Sequence, residues 1–253
     1  MTKQTQIKTM PAVHVHMEGL TAFFRAVWSV TASQITLPCP SYSNLLGLIS
    51  ACAGRVVRPS DTRIGFEFGH TSEGEEMERT NRFELSGNHL KEHWKGQGVL
   101  YRQIHFKPRL DLYLTNLDLA DAFDNPVATP CMGRSQDICW ITKVETVKLT
   151  AVESGKIGST LISSRLIKGY LSPEIVRCAE WFENEGQGRV RNVGAVGLYQ
   201  AIPPSDNDNG VRVNKRISNL YHPSNMPDID DVIYLHEWTK PTIRLPPKKR
   251  KSI

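Results

Sequence analysis

The stretch from residue 79 to residue 109 concentrates side chains that bind polyanions. It holds seven lysines and arginines against two acids, Glu84 and Glu92, so its local excess of five positive charges equals the formal net charge of +5 for the whole chain. The basic residues are Arg79, Arg82, Lys91, Lys95, Arg102, Lys107 and Arg109, and Trp94, Tyr101, Phe106 and three histidines lie among them. Cations attract phosphates, and aromatic faces accept unstacked bases. The pattern predicts a nucleic-acid-binding arm; the alternative is a solvated hairpin with an ordinary charged face.

Two glycine-containing segments offer further phosphate contacts. The run GRS, Gly133, Arg134 and Ser135, could hold a phosphate between backbone N–H groups and a guanidinium, or it could be a plain turn. Residues 186–197 are rich in glycine and include Arg189 and Arg191. Glycines let a backbone approach phosphates, but no strand–glycine–helix order is visible, so a turn-rich loop is the alternative.

The histidines suggest acid–base or metal chemistry only weakly. His14 and His16 are two residues apart and therefore share a strand face, where they could bind a metal or act as acid and base in RNA cleavage. No third ligand is identifiable, which favours surface histidines. We predict no cofactor and no metal.

Composition limits the class of protein. The chain has 253 residues, of which 40% are hydrophobic and 23% charged, as in a soluble globular protein. Its five cysteines form no CxxC pair, which argues against a disulfide framework and a zinc site and favours reduced thiols in the cytoplasm. No secretory leader and no run of about 20 apolar residues is visible, so we expect no membrane partner.

The first part of the chain predicts alternating strands and helices. Val13, Val15 and Met17 have the period of a half-buried strand. A helix should follow, capped by Ser41 or Ser43 and ending near Gly54. Further strands are predicted at 64–68, 99–107, 110–114, 138–141 and 144–149, with an acidic loop at 73–78, a turn at Gly96 and Gly98, and a short helix at 117–123. This order is typical of a split β-α-β, ferredoxin-like or RRM-like sheet with a long excursion between its middle strands.

The second part is less regular. Ser172-Pro173 predicts the start of a helix that ends at Gly186, and residues 232–235 predict a last strand. We therefore expect a core domain at 12–150 with an insertion at about 79–109, a smaller, irregular, β-rich subdomain at 151–240, and a basic tail at 241–253. The tail run PPKKRK is typical of an import signal or of a solvated tail, and the sequence does not decide whether it is ordered.

Residues 37–55, LPCPSYSNLLGLISACAGR, resemble the segment after the first strand in the CRISPR-associated "Cas five" family, which has a proline-containing turn and then an LLGL-type helix. The preceding stretch with Phe23, Arg25 and Trp28 is similar to the start of that family, and PCMGRSQD at 130–137 resembles its Gly-Arg turn. The resemblance covers about residues 12–150, over which the order and spacing of these segments agree with the family, and the general character and length of the chain are most similar to the type I-B branch.

The resemblance implies a RAMP protein of α+β class with an RRM-like core and an inserted β-hairpin thumb, here the arm around 79–109. It implies a non-catalytic subunit that caps the 5′ handle of the CRISPR RNA (crRNA) in a Cascade complex. Its partners would be the backbone subunit, the large subunit and, through the complex, target DNA. The predicted RNA-binding residues are Arg25, Tyr42, Ser43, Asn44, Trp94, Tyr101, Arg102, His105, Lys107, Arg109, Gly133, Arg134, Ser135, Arg189 and Arg191. Among them, Tyr42, Trp94 and Tyr101 are the candidates for base stacking.

Two other functions compete with this one. The related type I-C subunit cleaves precursor CRISPR RNA without metal, and in this chain His16, Tyr42, His89, His105 and Lys107 could be recruited for that chemistry. A DNA-binding regulator is disfavoured because no helix-turn-helix with a basic second helix is visible.

Overall fold

The computed structural model describes residues 8–26, 33–167, 169, 171–172, 174–185, 190–204, 210–214 and 217–239. Within them, fifteen strands and two α-helices form the regular structure. The strands are β1 Thr9–Gly19, β2 Thr21–Ala22, β3 Ser33–Gln34, β4 Ile64–Gly69, β5 Ser72–Ser86, β6 His89–Phe106, β7 Arg109–Leu114, β8 Cys139–Val152, β9 Ser154–Ile157, β10 Thr160–Ser163, β11 Ile175–Glu185, β12 Val190–Ile202, β13 Val211–Asn214, β14 Leu220–Pro223 and β15 Asp231–Tyr234. The helices are α1 Tyr42–Ala53 and α2 Ala120–Asp124, the latter preceded by a 3-10 turn at Leu117–Leu119.

The largest sheet has eight strands in the order β13-β9-β15-β14-β8-β1-β7-β4. Its β8-β1-β7-β4 half is antiparallel throughout, and α1 and α2 lie between its strands along the chain. The predicted first strand is confirmed, because Val13, Val15 and Met17 are completely buried on the core side of β1. Residues 138–149, predicted as two strands, form the single strand β8 instead. Strands from both sides of residue 150 share this sheet, and the basic tail lies outside the described residues.

Helix α1 forms where the sequence predicts it. Ser41 caps its N-terminus in a capping box with Asn44, and Gly54 ends it in the left-handed conformation at φ 63°. Its apolar stripe is buried in the core, as shown by Leu45 and Ile49. The predicted helix boundaries are therefore confirmed, and the N-terminal turn of α1 is held in a defined position.

A long hairpin, β5–β6, leaves the sheet after β4. Its turn is the two-residue loop Gly87-Asn88, with Gly87 at φ 60°, so the prediction of a turn at Gly96 and Gly98 is wrong. Residues 73–78, predicted as an acidic loop, belong to β5 and pair with β6, and Glu76 lies directly opposite Arg102. The hairpin therefore begins earlier than the predicted boundary at residue 79.

The second sheet, β10-β12-β11, contains the largest error of the sequence prediction. Residues 175–185 form strand β11 and not a helix. Val176, Cys178 and Glu180 are buried at every second position, which is the period of a strand, and β12 pairs along the whole length of β11. Gly194 on β12 leaves room for the ring of Trp181, since a Cβ there would overlap the indole. The glycine-rich segment is thus partly strand β12; Arg189 and the side chain of Arg191 lie outside the described residues.

The described helices are short: α1, the longer one, has 12 residues, and neither helix could span a bilayer. All five cysteines lie in the described residues and are free, as the sequence predicts. Burial raises the pKa of the Cys39 thiol well above its ordinary value, which keeps that thiol protonated.

Candidate functional site

A groove brings together predicted RNA-binding residues that are ninety positions apart in sequence. It encloses about 320 Å³ between the N-terminal half of α1 and the loop that precedes β8. We call it the α1–loop groove; its polar lining residues are Ser43, Asn44, Thr129, Cys131, Gly133 and Ser135. The sequence predicts four of these six as contacts, and the fold gathers them on one surface.

The helix side of the groove is rigid because of its cap. The Oδ1 of Asn44 accepts hydrogen bonds from the Ser41 backbone N–H at 3.2 Å and from the Ser41 hydroxyl at 2.6 Å. The hydroxyls of Ser41 and Ser43 lie 2.9 Å apart. The amide of Asn44 and the hydroxyl of Ser43 are only half-buried, so both can still donate to a ligand in the groove.

The loop side is fixed by Gly133 and Asp137. Gly133 has φ 119°, and a Cβ at this position would overlap the backbone carbonyl of Phe23, so only glycine fits. The completely buried carboxylate of Asp137 accepts hydrogen bonds from the Arg134 backbone N–H at 3.0 Å and from the Thr21 hydroxyl at 2.7 Å. The loop therefore has one well-defined conformation against the strand-like segment 21–26.

Arg134 connects this loop to the base of the hairpin. Its guanidinium donates to Asp137 at 2.8 Å and to Glu76 at 2.9 Å, and lies 5.6 Å from the ring centroid of Phe23. Arg102 pairs with Glu78 at 3.1 Å and lies 5.4 Å from the same ring. The hydrogen bonds that Arg134 donates to Asp137 raise the pKa of Arg134, so this cation stays charged. We call Phe23, Glu76, Glu78, Arg102, Arg134 and Asp137 the junction network.

The junction network corrects two predicted phosphate contacts. The side chains of Arg102 and Arg134 are only 14% and 11% exposed, and each is already paired with at least one carboxylate. A phosphate would have to displace those acids, so both arginines hold the hairpin against the loop in this structure and do not face a ligand. Sequence reasoning missed Phe23, Glu76 and Glu78 as members of the network.

Two predicted contacts are buried in the core and are wrong as RNA-binding residues. Tyr42 is 0% exposed, donates to the Leu161 carbonyl at 2.7 Å, and stacks on His236 at 3.8 Å between ring centroids. His105 is also 0% exposed, and its Nε2 donates to the Leu37 carbonyl at 2.8 Å. Burial lowers the pKa of His105 and raises that of Tyr42. Neither ring can accept a base without unfolding its surroundings.

Five further predicted residues in the described part of the chain lie on the surface. Arg25, Lys107 and Arg109 are exposed near the hairpin base, which makes them available to an anion. Trp94 is 80% exposed and Tyr101 is 43% exposed on the hairpin. The Nζ of Lys95 lies 5.1 Å from the ring centroid of Trp94, so a cation and an aromatic face are presented together.

A second cavity of about 260 Å³ is lined by side chains that could act as acids and bases. His16, Arg109 and Asp111 line it, and the Nδ1 of His16 lies 2.8 Å from the Oδ1 of Asp111. The Nε2 of His14 also lies 2.8 Å from that oxygen. Burial raises the pKa of Asp111, but hydrogen bonds from His14 and His16 outweigh it and hold the pKa below the ordinary value. Asp111 is therefore a carboxylate that orients both histidines.

The residues considered for RNA cleavage are not brought together. His16 lines this cavity, but Tyr42 and His105 are in the core, and His89 is at the far end of the hairpin beside the turn. General acid–base catalysis needs its groups within hydrogen-bond reach of one substrate. Those five residues therefore do not form one active site in this structure.

Comparisons with known proteins bear on the fold. No family model matches the sequence, and no curated protein matches it either. A chain from a "CRISPR RNA-guided surveillance complex" is similar in structure, with a TM-score of 0.51 and 13% identity over 80% of this chain and 91% of that chain. A "CRISPR protein from Archaeoglobus fulgidus" has a TM-score of 0.47 and 13% identity, over 88% of this chain and 98% of that chain. The strand-rich architecture described above is thus the fold of a chain found in a CRISPR RNA-guided surveillance complex.

Proposed function

We propose that this chain is a crRNA-binding subunit of a type I Cascade surveillance complex, most similar to the type I-B branch. In this proposal it caps the 5′ handle of the guide RNA in the prokaryotic cytoplasm and does not cleave RNA. The observation that carries the proposal is the α1–loop groove beside the base of the β5–β6 hairpin. The shared fold with a chain of a surveillance complex supports it.

The topology supports the assignment of a RAMP core. The strand order β8-β1-β7-β4, with α1 and α2 at the two crossovers, is the order expected for a split β-α-β, ferredoxin-like sheet and supports this part of the proposal. In that scheme the hairpin occupies the position of an insertion between the second and third core strands. We therefore assign the hairpin as the thumb.

The surface chemistry suggests how RNA would bind. Arg25, Lys107 and Arg109 would contact phosphates, while Trp94 and Tyr101 would stack on splayed bases. Ser43 and Asn44 would donate hydrogen bonds to a nucleotide in the α1–loop groove. Arg102 and Arg134 have a different role from the predicted one, since they hold the thumb and the loop in place.

The hairpin end offers a surface for the backbone subunit. Phe83, Leu85 and Leu90 are 62%, 74% and 74% exposed there, and Leu85 faces Leu90 across the strands. An exposed apolar surface of this kind favours a protein neighbour over water. We place the backbone subunit at this end, with the large subunit and the target DNA reached through the assembled complex.

The proposed function can be tested with purified protein and repeat RNA from the CRISPR array of its own host. RNAs of equal length with successive 5′ ends should show tight binding only when the handle is present, and labelled RNA should remain intact in EDTA. Equal affinity for RNAs that lack the handle would contradict the capping role. Cleavage in EDTA that His16→Ala abolishes would instead assign the cavity of His16, Arg109 and Asp111 as a nuclease site.

Replacing Trp94 with alanine should weaken RNA binding without affecting folding. The indole is 80% exposed, so its loss removes a stacking surface and little packing. Base–aromatic stacking contributes about 1–3 kcal/mol per base, which predicts a 5- to 150-fold weaker Kd in a fluorescence anisotropy titration. The melting temperature should stay within about 1–2 °C.

A suitable control for this variant is Phe83→Ala, which removes another exposed aromatic from the same hairpin. The RNA affinity of the isolated chain should not change in this control. If Trp94→Ala lowers the melting temperature as much as it weakens binding, then Trp94 is a packing residue and not a stacking platform.

A further inference from the structure

The base of the hairpin contains a cluster of two histidines and a glutamate that no part of the proposed function uses. His70 follows β4, Glu73 lies near the start of β5, and His105 lies near the end of β6. One potential ligand atom from each residue lies within 4.8 Å of the other two. The cluster thus joins the central sheet to both strands of the hairpin.

The hydrogen bonding of His105 fixes which of its nitrogens faces the cluster. Its Nε2 lies 2.8 Å from the Leu37 carbonyl, which can only accept, so the proton is on Nε2. In the neutral ring, Nδ1 then carries a lone pair, and Nδ1 lies 3.3 Å from the Oε1 of Glu73. Two acceptors at this distance repel each other unless a cation lies between them. A metal-bound histidine usually donates its other ring N–H to a carboxylate or a backbone carbonyl, as the Nε2 of His105 does to Leu37.

Two distances within the cluster agree with neighbouring ligands of a tetrahedral metal site. Zinc binds histidine nitrogen and carboxylate oxygen at about 2.0–2.1 Å, which places neighbouring tetrahedral ligands about 3.3–3.4 Å apart. The Nδ1 of His105 and the Nε2 of His70 lie 3.3 Å and 3.4 Å from the Oε1 of Glu73. The imidazoles of His70 and His105 are stacked, with ring centroids 4.4 Å apart and an interplanar angle of 26°, so the His70 ring has to rotate for both nitrogens to bind one ion. Two imidazoles and one carboxylate are a ligand set that zinc accepts, with a fourth position left for water.

We propose that His70, Glu73 and His105 form a zinc-binding site that fixes the hairpin to the sheet. The site is built from a buried ligand, His105, and a more exposed one, Glu73, whose side chain is 41% accessible. An ion can therefore enter from the solvent side. Its ligands come from the β4–β5 connection, from β5 and from β6, so the bound ion restrains the angle at which the hairpin leaves the sheet. The proposal does not depend on RNA binding.

The test uses the full-length protein after treatment with EDTA and dialysis. Titration with Co²⁺ should produce the visible d–d absorption of a tetrahedral site, without thiolate-to-metal charge transfer, at one ion per chain. Zn²⁺ should displace the Co²⁺ and raise the melting temperature. His105 is completely buried, so variants at the other two ligands are the safer choice.

His70→Ala and Glu73→Gln should each weaken metal binding by roughly 100-fold or more, because even the loss of an outer partner costs about 10- to 100-fold. His89→Ala removes an exposed histidine from the hairpin turn and should leave binding unchanged. Absence of Co²⁺ and Zn²⁺ binding would overturn the proposal, as would unchanged binding in both ligand variants. Protons on both nitrogens of His105 in excess Zn²⁺, measured by NMR, would show that a proton occupies the site.

Discussion

Replacing Arg25, Lys107 and Arg109 together with glutamine is expected to weaken RNA binding on the order of 100-fold at 0.1 M salt. These three cations are exposed near the hairpin base, whereas Arg102 and Arg134 are already paired with carboxylates. Each phosphate contact on single-stranded nucleic acid contributes about 0.7 to the slope of log K against log salt concentration, so the slope should decrease in magnitude by about 2. Titrations at four or more salt concentrations measure both quantities.

The matched control removes the same number of charges elsewhere. Arg55, Lys156 and Arg212 each pair with an aspartate away from the hairpin, at 3.2, 3.4 and 2.6 Å. Their replacement with glutamine lowers the net charge equally and should change the slope little, because non-contacting charges act only at long range. If both triple variants lose affinity equally, net charge and not a defined surface drives binding.

Replacing Tyr42 with alanine is expected to lower the free energy of unfolding by about 3–5 kcal/mol, the range for a buried aromatic residue. Tyr42 is completely buried, stacks on His236, and donates to the Leu161 carbonyl. For a chain of this size the melting temperature should decrease by roughly 10 °C or more. Differential scanning calorimetry measures the change, and RNA binding by the protein that remains folded should be nearly unchanged.

Tyr101→Ala is the comparison for this variant, since it removes the same atoms from a side chain that is 43% exposed on the hairpin. It should cost little stability and should weaken RNA binding. The two tyrosines were equivalent candidates for stacking in the sequence, so the pair separates packing from recognition. A stable Tyr42→Ala protein that no longer binds RNA would contradict the assignment of Tyr42 to the core.

Local signals were sufficient for the elements whose period and caps are clear. The boundaries of α1 follow from Ser41, Gly54 and the apolar stripe between them, because capping and burial act within a few residues. The signal for β11 was misleading, since a serine and a proline before an apolar run also suit a helix. Pairing with β12, the next strand along the chain, decided in favour of a strand, and the periodicity of residues 175–185 read alone does not include that partner.

Composition and spacing by themselves determined that a basic, aromatic segment exists, that two helices interrupt the strands of the first part of the chain, and that Ser43, Asn44 and the Gly133–Ser135 run are candidate contacts. Only the tertiary structure decided which of these side chains can meet a ligand. A register shift between Asn81 and Phe83 sets the pairing of β5 with β6 below the hairpin end. It places Arg102 opposite Glu76 and within reach of Glu78 on the same face. Burial of Tyr42 and His105, and the approach of the Gly133 loop to α1, likewise depend on contacts between residues far apart in sequence, where no local pattern acts.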